Sequence, residues 1–312
     1  MDFVLILMVV WGSTFDVRGV TCDVLTCGVQ RADVPRADVL RADVRRAGLP
    51  QVVPDLRLRE ESVESAALSR EMKYRVLLPA GYDASLQRYP VLYLLHGLGG
   101  DYTDWTMRSN LAAYSRTLPL IIVMPDGGNQ WYTNAADGSA RFEDYILTDL
   151  QADVVRKFRT INSRYGRAVA GLSMGGYGAL KMALKRPGAF SVAASFSGAF
   201  SVSRDGELEK LIGKQEGERV LKIFGPPGSQ TRTENDIFAL ASSVKPGAAP
   251  YLYLDCGTGD NTLLAGNRDV AAALHKAGAA YEYHEVAGAH TWDYWDRRIR
   301  DFLPLLMKKL SN

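Results

Sequence analysis

The chain has 312 residues, 47% of them hydrophobic and 23% charged, a globular composition with room for one large α/β domain or two small ones. A net charge of +2 excludes the basic or acidic excess of a nucleic-acid or membrane-surface binder. Of three cysteines, Cys22 and Cys27 lie near the amino terminus and Cys256 stands alone in the body. That usage excludes a disulfide framework, no Cys/His cluster has zinc spacing, and neither a metal nor an organic cofactor is expected.

In chain order, Phe3 to Trp11 is an apolar run the length of a signal-peptide core and too short to span a bilayer. No positive charge precedes it, so a signal peptide is not favoured and a cytoplasmic location is set ahead of secretion. From Thr21 to Pro50 the chain repeats every five residues (TCDVL, TCGVQ, RADVP, RADVL, RADVR, RAGLP). Six such units are too few to bury a core of their own. Residues 1–52 are therefore expected to be a low-complexity leader, poorly ordered or accessory, and 53–312 the main folded domain.

The body alternates β-branched apolar runs with helical patterns, which predicts a mostly parallel sheet covered on both faces. Strands are expected at Lys73–Leu78, Val91–Leu95, Leu120–Met124, Ala168–Gly171, Val192–Phe196, Tyr251–Leu254 and Tyr281–Val286. Phe142, Tyr145, Ile146, Leu150, Val154 and Phe158 form an apolar stripe at helical spacing. A short helix is expected over Ala179–Leu184, ended by Pro187, with others marked by Leu263, Val270 and Leu274 and by Trp292, Trp295, Ile299 and Phe302. These stripes are read as core packing. The polar segment 201–250, with its Gly225-Pro226-Pro227-Gly228 turn, breaks the alternation and is expected to be a small cap beside the sheet's carboxyl edge.

Chemistry enters at Gly171-Leu172-Ser173-Met174-Gly175-Gly176, where a β-rich run gives way to a helix-forming one. Glycines at both flanks allow a sharp strand-to-helix turn that exposes the Ser173 hydroxyl above the sheet. A nucleophilic serine needs a base, and of four histidines only His290 falls in a loop after a late strand; His275 lies in a helical stretch, His284 in a strand, and His96 ends one. For the acid that orients the imidazole, Asp260 in the loop after Tyr251–Leu254 is favoured over Asp255 at the strand end and Asp293 in the final helix. Backbone N–H groups of Met174, after the serine, and of Leu98, in His96-Gly97-Leu98-Gly99-Gly100, are the candidate oxyanion donors.

Together the runs YPVLYLLHGLGGDYTDW from Tyr89, GLSMGGYGAL from Gly171, the loop ending in Asp260 and GAHTWDYW resemble the esterase-D-type branch of the α/β-hydrolases over most of Val53 to Leu310. That branch includes bacterial short-chain (tributyrin-type) esterases, feruloyl esterases, S-formylglutathione hydrolases and mycolyltransferases. The resemblance implies an α/β-hydrolase fold, with Ser173 as nucleophile, His290 as base, Asp260 as acid, and Leu98 and Met174 as oxyanion donors. S-formylglutathione hydrolases typically carry a cysteine after the HGL run and a histidine before the serine, where this chain has Gly99 or Gly100 and Leu172. Asp126-Gly127-Gly128-Asn129-Gln130-Trp131-Tyr132 resembles the short-chain and feruloyl esterases instead. Gly99, Trp131 and Tyr132 are thereby candidate substrate contacts, with loop anchoring as the other reading of the two aromatics.

The expected activity is that of a serine carboxylesterase acting on short-chain acyl esters through an acyl-enzyme. Feruloyl or acetylxylan ester hydrolysis is the alternative, S-formylglutathione hydrolysis and acyl transfer stand behind it, and a catalytically dead binding module is the reading from outside enzymology. The expected partner is a small-molecule ester, with no nucleic acid and no membrane; self-association is left open.

Overall fold

A run such as Val91–Leu95 (Val-Leu-Tyr-Leu-Leu) has no polar face, so a strand made from it is stable only where both sides are covered. The computed structural model describes residues 55–204, 213–245, 247 and 249–310 and arranges them on that principle. The expected leader over 1–52 lies outside the described residues. Eight strands form one sheet among the described residues: β1 (Leu58–Ser65), β2 (Arg70–Leu77), β3 (Val91–Leu95), β4 (Ile121–Pro125), β5 (Arg167–Leu172), β6 (Val192–Phe196), β7 (Tyr251–Gly257) and β8 (Tyr281–Val286). Their order is β1-β2-β4-β3-β5-β6-β7-β8. β1 pairs β2 and β2 pairs β4 antiparallel; every other pairing is parallel.

Alternate residues of β3 enter two cores. Val91, Tyr93 and Leu95 pack on one face of the sheet, Leu92 and Leu94 on the other. The helices, in chain order, are α1 (Asp104–Met107), α2 (Leu111–Tyr114), α3 (Phe142–Asp144), α4 (Gln151–Lys157), α5 (Met174–Lys185), α6 (Lys214–Phe224), α7 (Gln230–Glu234), α8 (Ile237–Ser242), α9 (Leu264–Lys276) and α10 (Trp292–Leu310), with a π-helical turn joining α3 to α4. The face of β3 that carries Tyr93 shares its core with α4, α5, α8 and α9; α1, α2 and α10 contribute to the other core. Each Leu, Val or Phe so buried contributes about 1.5–3 kcal/mol against the entropy of ordering the chain. This is the α/β-hydrolase fold.

Several elements differ from expectation: β2 begins at Arg70, three residues before the expected Lys73, and β1 is not among the expected strands. β1 (Leu-Arg-Glu-Glu-Ser-Val-Glu-Ser) escapes an apolar-run criterion because it is an edge strand with one neighbour and largely solvated sides. β7 runs on to Gly257, which places Asp255 inside the ladder opposite His284. α5 begins directly at Met174, longer than expected, because its glycines serve close packing rather than a loop. The described part of the 201–250 segment packs beside the site: Tyr177 meets Phe224 of α6 at 6.0 Å and donates to the Asn235 carbonyl at 2.8 Å. No described residue of the segment lines the cavity above Ser173.

Candidate active site

Parallel strands deliver their carboxyl ends, and the loops that follow, to one edge of the sheet. Ser173 sits there between β5 and α5 with φ 52° and ψ −116°, a conformation that costs about 1–3 kcal/mol and persists only when overdetermined. The overdetermination is visible. Ser173 N–H donates to the Phe196 carbonyl at 3.0 Å, and its own carbonyl accepts from Tyr177 at 3.0 Å and Ala199 at 3.1 Å. A β-carbon on Gly171 would lie 2.4 Å from the Gly175 backbone, and one on Gly175 would lie 2.6 Å from the His96 and Leu95 carbonyl oxygens, so neither position admits a side chain.

The structure brings three of the candidates into one line. Ser173 Oγ lies 3.0 Å from His290 Nε2, and His290 Nδ1 lies 2.7 Å from Asp260 Oδ2. Asp260 is 3% exposed, and its other oxygen accepts from the Leu263 N–H at 3.2 Å, fixing the carboxylate plane. With Nδ1–H donated to Asp260, Nε2 is the acceptor for the serine hydroxyl. The His290 ring stands edge-on to Trp295, centroids 4.8 Å apart.

The competing groups do not join this line, although Asp293 also borders the cavity over Ser173. Asp255 accepts from Tyr294 Oη at 2.8 Å and Arg298 Nε at 2.9 Å, and its burial pushes its carboxyl upward against the pull of Arg298. Asp293 is exposed in the first turn of α10. His275 and His284 are exposed, the latter 3.2 Å from Glu282. His96 is buried; its Nδ1 meets the Gly97 carbonyl at 2.8 Å and its Nε2 accepts from Gly127 N–H at 2.8 Å. That pattern assigns a neutral imidazole protonated on Nδ1, which ties the 96–100 loop to the loop after β4.

In the 96–100 loop, Gly99 N–H is taken by Asn129 Oδ1 at 2.7 Å and Gly100 N–H by the Gly97 carbonyl at 3.2 Å. Leu98 N–H and Met174 N–H, by contrast, have no acceptor among the described residues. Both residues belong to segments bordering a cavity of about 640 Å³ that opens over Ser173 and His290. Among the described residues, no group of three or more His, Cys, Asp or Glu side chains is placed to hold a metal ion.

Of the proposed substrate contacts, Gly99 and Trp131 line this cavity. Tyr132 does not, and that expectation is corrected. It is fully buried, its hydroxyl donates to the His96 carbonyl at 3.1 Å, and its ring fills the space over Gly178. A second correction concerns Trp292 and Trp295, read from the sequence as core alone. Both also line the cavity, because α10 starts two residues after His290 and its first turn faces the site. Their adjacency to His290 was the available signal. Asp104 and Arg108 also border it, Arg108 lying over the Trp292 ring at 5.0 Å; helical spacing alone does not mark them.

The family model described as "Putative esterase" matches residues 65–306. An esterase of Mycobacterium tuberculosis (strain ATCC 25618 / H37Rv) is 35% identical over 263 residues, covering 76% of this chain and 56% of that protein, so the chain matches little more than half of that relative's length. An acetyl esterase of Caldicellulosiruptor saccharolyticus is 28% identical over 236 residues, 72% of this chain and 86% of its own. Among solved structures, the substrate-bound fluorophosphonate-binding serine hydrolase F of Staphylococcus aureus is similar with a TM-score of 0.70 and 26% identity, over 82% of this chain and 98% of that one. On the extent of the family match and the 35% identity, the chain belongs to this esterase family of the α/β-hydrolases.

Proposed function

We propose that the chain hydrolyses short-chain carboxylic esters, with Ser173 as nucleophile, His290 as general base and acid, and Asp260 as the group that orients and charge-balances the imidazole. The observation that carries this reading is the unbroken line Ser173 Oγ–His290–Asp260, 3.0 and 2.7 Å, opening onto the cavity. His290 Nε2 takes the hydroxyl proton as Oγ attacks the ester carbonyl. The oxygen of the tetrahedral intermediate accepts from Leu98 and Met174 N–H, which have no other acceptor among the described residues. The imidazolium returns its proton to the departing alcohol. Water, deprotonated by His290, then attacks the acyl-enzyme and releases the acid.

A small acyl group agrees with the similarity to an acetyl esterase. An aromatic acyl group of the feruloyl type is the second reading, favoured by Trp131, Trp292 and Trp295 on the cavity walls. Comparing methyl ferulate with p-nitrophenyl acetate and butyrate decides between them. For the chemistry itself, Ser173→Ala is expected to lower kcat about 10⁴- to 10⁶-fold with an unchanged thermal midpoint. Retention of most of the activity would overturn the assignment.

A further inference from the structure

Lys181 is the only lysine buried to 0% exposure among the described residues. It lies about two turns along α5 from Ser173. Its Nζ donates to the Tyr132 carbonyl at 2.6 Å and to Thr133 Oγ1 at 2.9 Å, and pairs with Glu143 at 2.8 Å. All three ammonium protons are therefore committed. Thr133 Oγ1 in turn donates to the Trp131 carbonyl at 2.8 Å, so the charge reaches two consecutive peptide groups.

Those two residues are strained. Trp131 has φ 53° and Tyr132 φ 50°, left-handed values that bulky side chains rarely adopt singly, let alone in tandem. The strain has a visible product. It turns the Trp131 side chain into the cavity wall, edge-on to Tyr177 at 6.0 Å and Phe224 at 6.5 Å, and sends Tyr132 beneath the 96–100 loop. Stability alone does not account for a charge here, since an apolar side chain in place of a buried ion pair is often neutral or better. Donors aimed at the carbonyls of a strained turn do account for it.

We propose that Lys181 is a positioning residue: through Tyr132 and Thr133 its ammonium sets the Trp131 wall, and thereby which ester substituents the cavity accepts. The inference rests on the Ser173 chemistry proposed above. Lys181 faces Glu143 and Asp144 from α3, Lys185 from its own helix, and the Tyr177 ring at 5.7 Å. Burial pulls its proton affinity down to about 8, with Glu143 opposing. Once neutral, the amine has two protons for three acceptors, and the turn loses one of its restraints.

The test compares p-nitrophenyl butyrate with p-nitrophenyl acetate in wild type, Lys181→Met, Trp131→Ala and the double variant. The ratio of the two kcat/KM values is read, because ionisation of His290 cancels in it. Lys181→Met is expected to shift that ratio about tenfold, chiefly through KM for the butyrate. In the Trp131→Ala background the same substitution should leave the ratio unmoved, and the wild-type ratio should drift above pH 8 while that of Lys181→Met stays flat. Thr133→Val, which keeps the ion pair with Glu143 and the bond to the Tyr132 carbonyl but removes both the Lys181–Thr133 hydrogen bond and the relay to Trp131, should shift the ratio in the same direction by less, and it serves if Lys181→Met folds poorly. Equal loss on both esters, or a shift that persists without Trp131, would overturn the proposal. Wild-type turnover and its loss in Ser173→Ala report on the parent reading separately, because the ratios compare variants that all retain Ser173.

Discussion

Two buried ion pairs lie behind the site, one on each face of the sheet, and they hold different things. Asp255 and Arg298, 2.9 Å apart, fasten β7 to α10, the helix that starts just past His290. Glu143 and Lys181, 2.8 Å apart, fasten α3 to α5 and to the turn that carries Trp131. A guanidinium keeps its proton at any accessible pH, whereas the buried ammonium of Lys181 is close to titrating. The mount of the proposed base is thus built from a cation that alkali cannot discharge, and the mount of the pocket wall from one that it can. Neither pair touches the reacting atoms. The groups proposed to carry the chemistry, Ser173, His290 and Asp260, are linked to one another by one hydrogen bond per contact, 3.0 and 2.7 Å.

This contrast can be broken in several ways. The largest effect is expected at Asp260: Asp260→Asn should cost about 10³- to 10⁴-fold in kcat through loss of the imidazole tautomer, with near-native stability. Its neighbour should behave in the opposite manner. Asp255→Asn leaves Arg298 with only the more exposed Asp301 as counter-charge and should lower unfolding free energy by about 3 kcal/mol while the folded fraction keeps kcat within severalfold, measured by urea denaturation beside initial rates. A comparable activity loss at both positions would erase the distinction between mount and machinery.

On the other face, burial alone would push Glu143 up, but Lys181 and Lys185 hold it at about 2, below the ordinary 4.5. A carboxyl whose folded value is depressed contributes stability above pH 4.5 that is lost as pH falls from 4.5 toward 2. The wild-type urea midpoint should fall through that window, and Glu143→Gln should flatten the fall. The smallest effect concerns Asn129, whose side-chain oxygen accepts from Gly99 N–H. Asn129→Ala should lower kcat about fivefold by loosening the 96–100 loop, with little change in KM. An unchanged kcat would show that the bonds of His96 and Tyr132 fix that loop without Asn129.

What the sequence made legible follows from how local each signal is. β3 and β4 are runs of apolar residues because both of their faces are covered, so composition alone reveals them. β1 is half-solvated and reads as a polar segment. Ser173, His290 and Asp260 stand out because loop position and residue type coincide. Asp255 and Asp260 differ by a boundary of three residues in β7, and only the ladder to β8 shows which of them faces the core. Lys181 carries no local mark at all. It occupies an ordinary helical position, and its burial arises from Tyr132 and Glu143, far away in the chain. Trp131 and Tyr132 are adjacent, yet one lines the cavity and the other lies under it, because tandem left-handed backbone turns their side chains apart.

The backbone ladder between β7 and β8 does not stop where the strands do. Thr258 N–H donates to the Val286 carbonyl at 2.9 Å and Gly259 N–H to the Gly288 carbonyl at 2.7 Å, carrying the pairing into the segments that present Asp260 and His290. Those two segments are locked in length to each other: a residue inserted into either would slide the carboxylate past the imidazole. The hairpin after Thr133 is free of that constraint. Asn134 pairs with Arg141 and Ala135 N–H donates to the Ala140 carbonyl at 2.8 Å, closing an exposed tip around Gly138. Diversification by insertion or loop grafting in this scaffold therefore belongs at that tip, where added length leaves the spacing of the proposed base and acid alone.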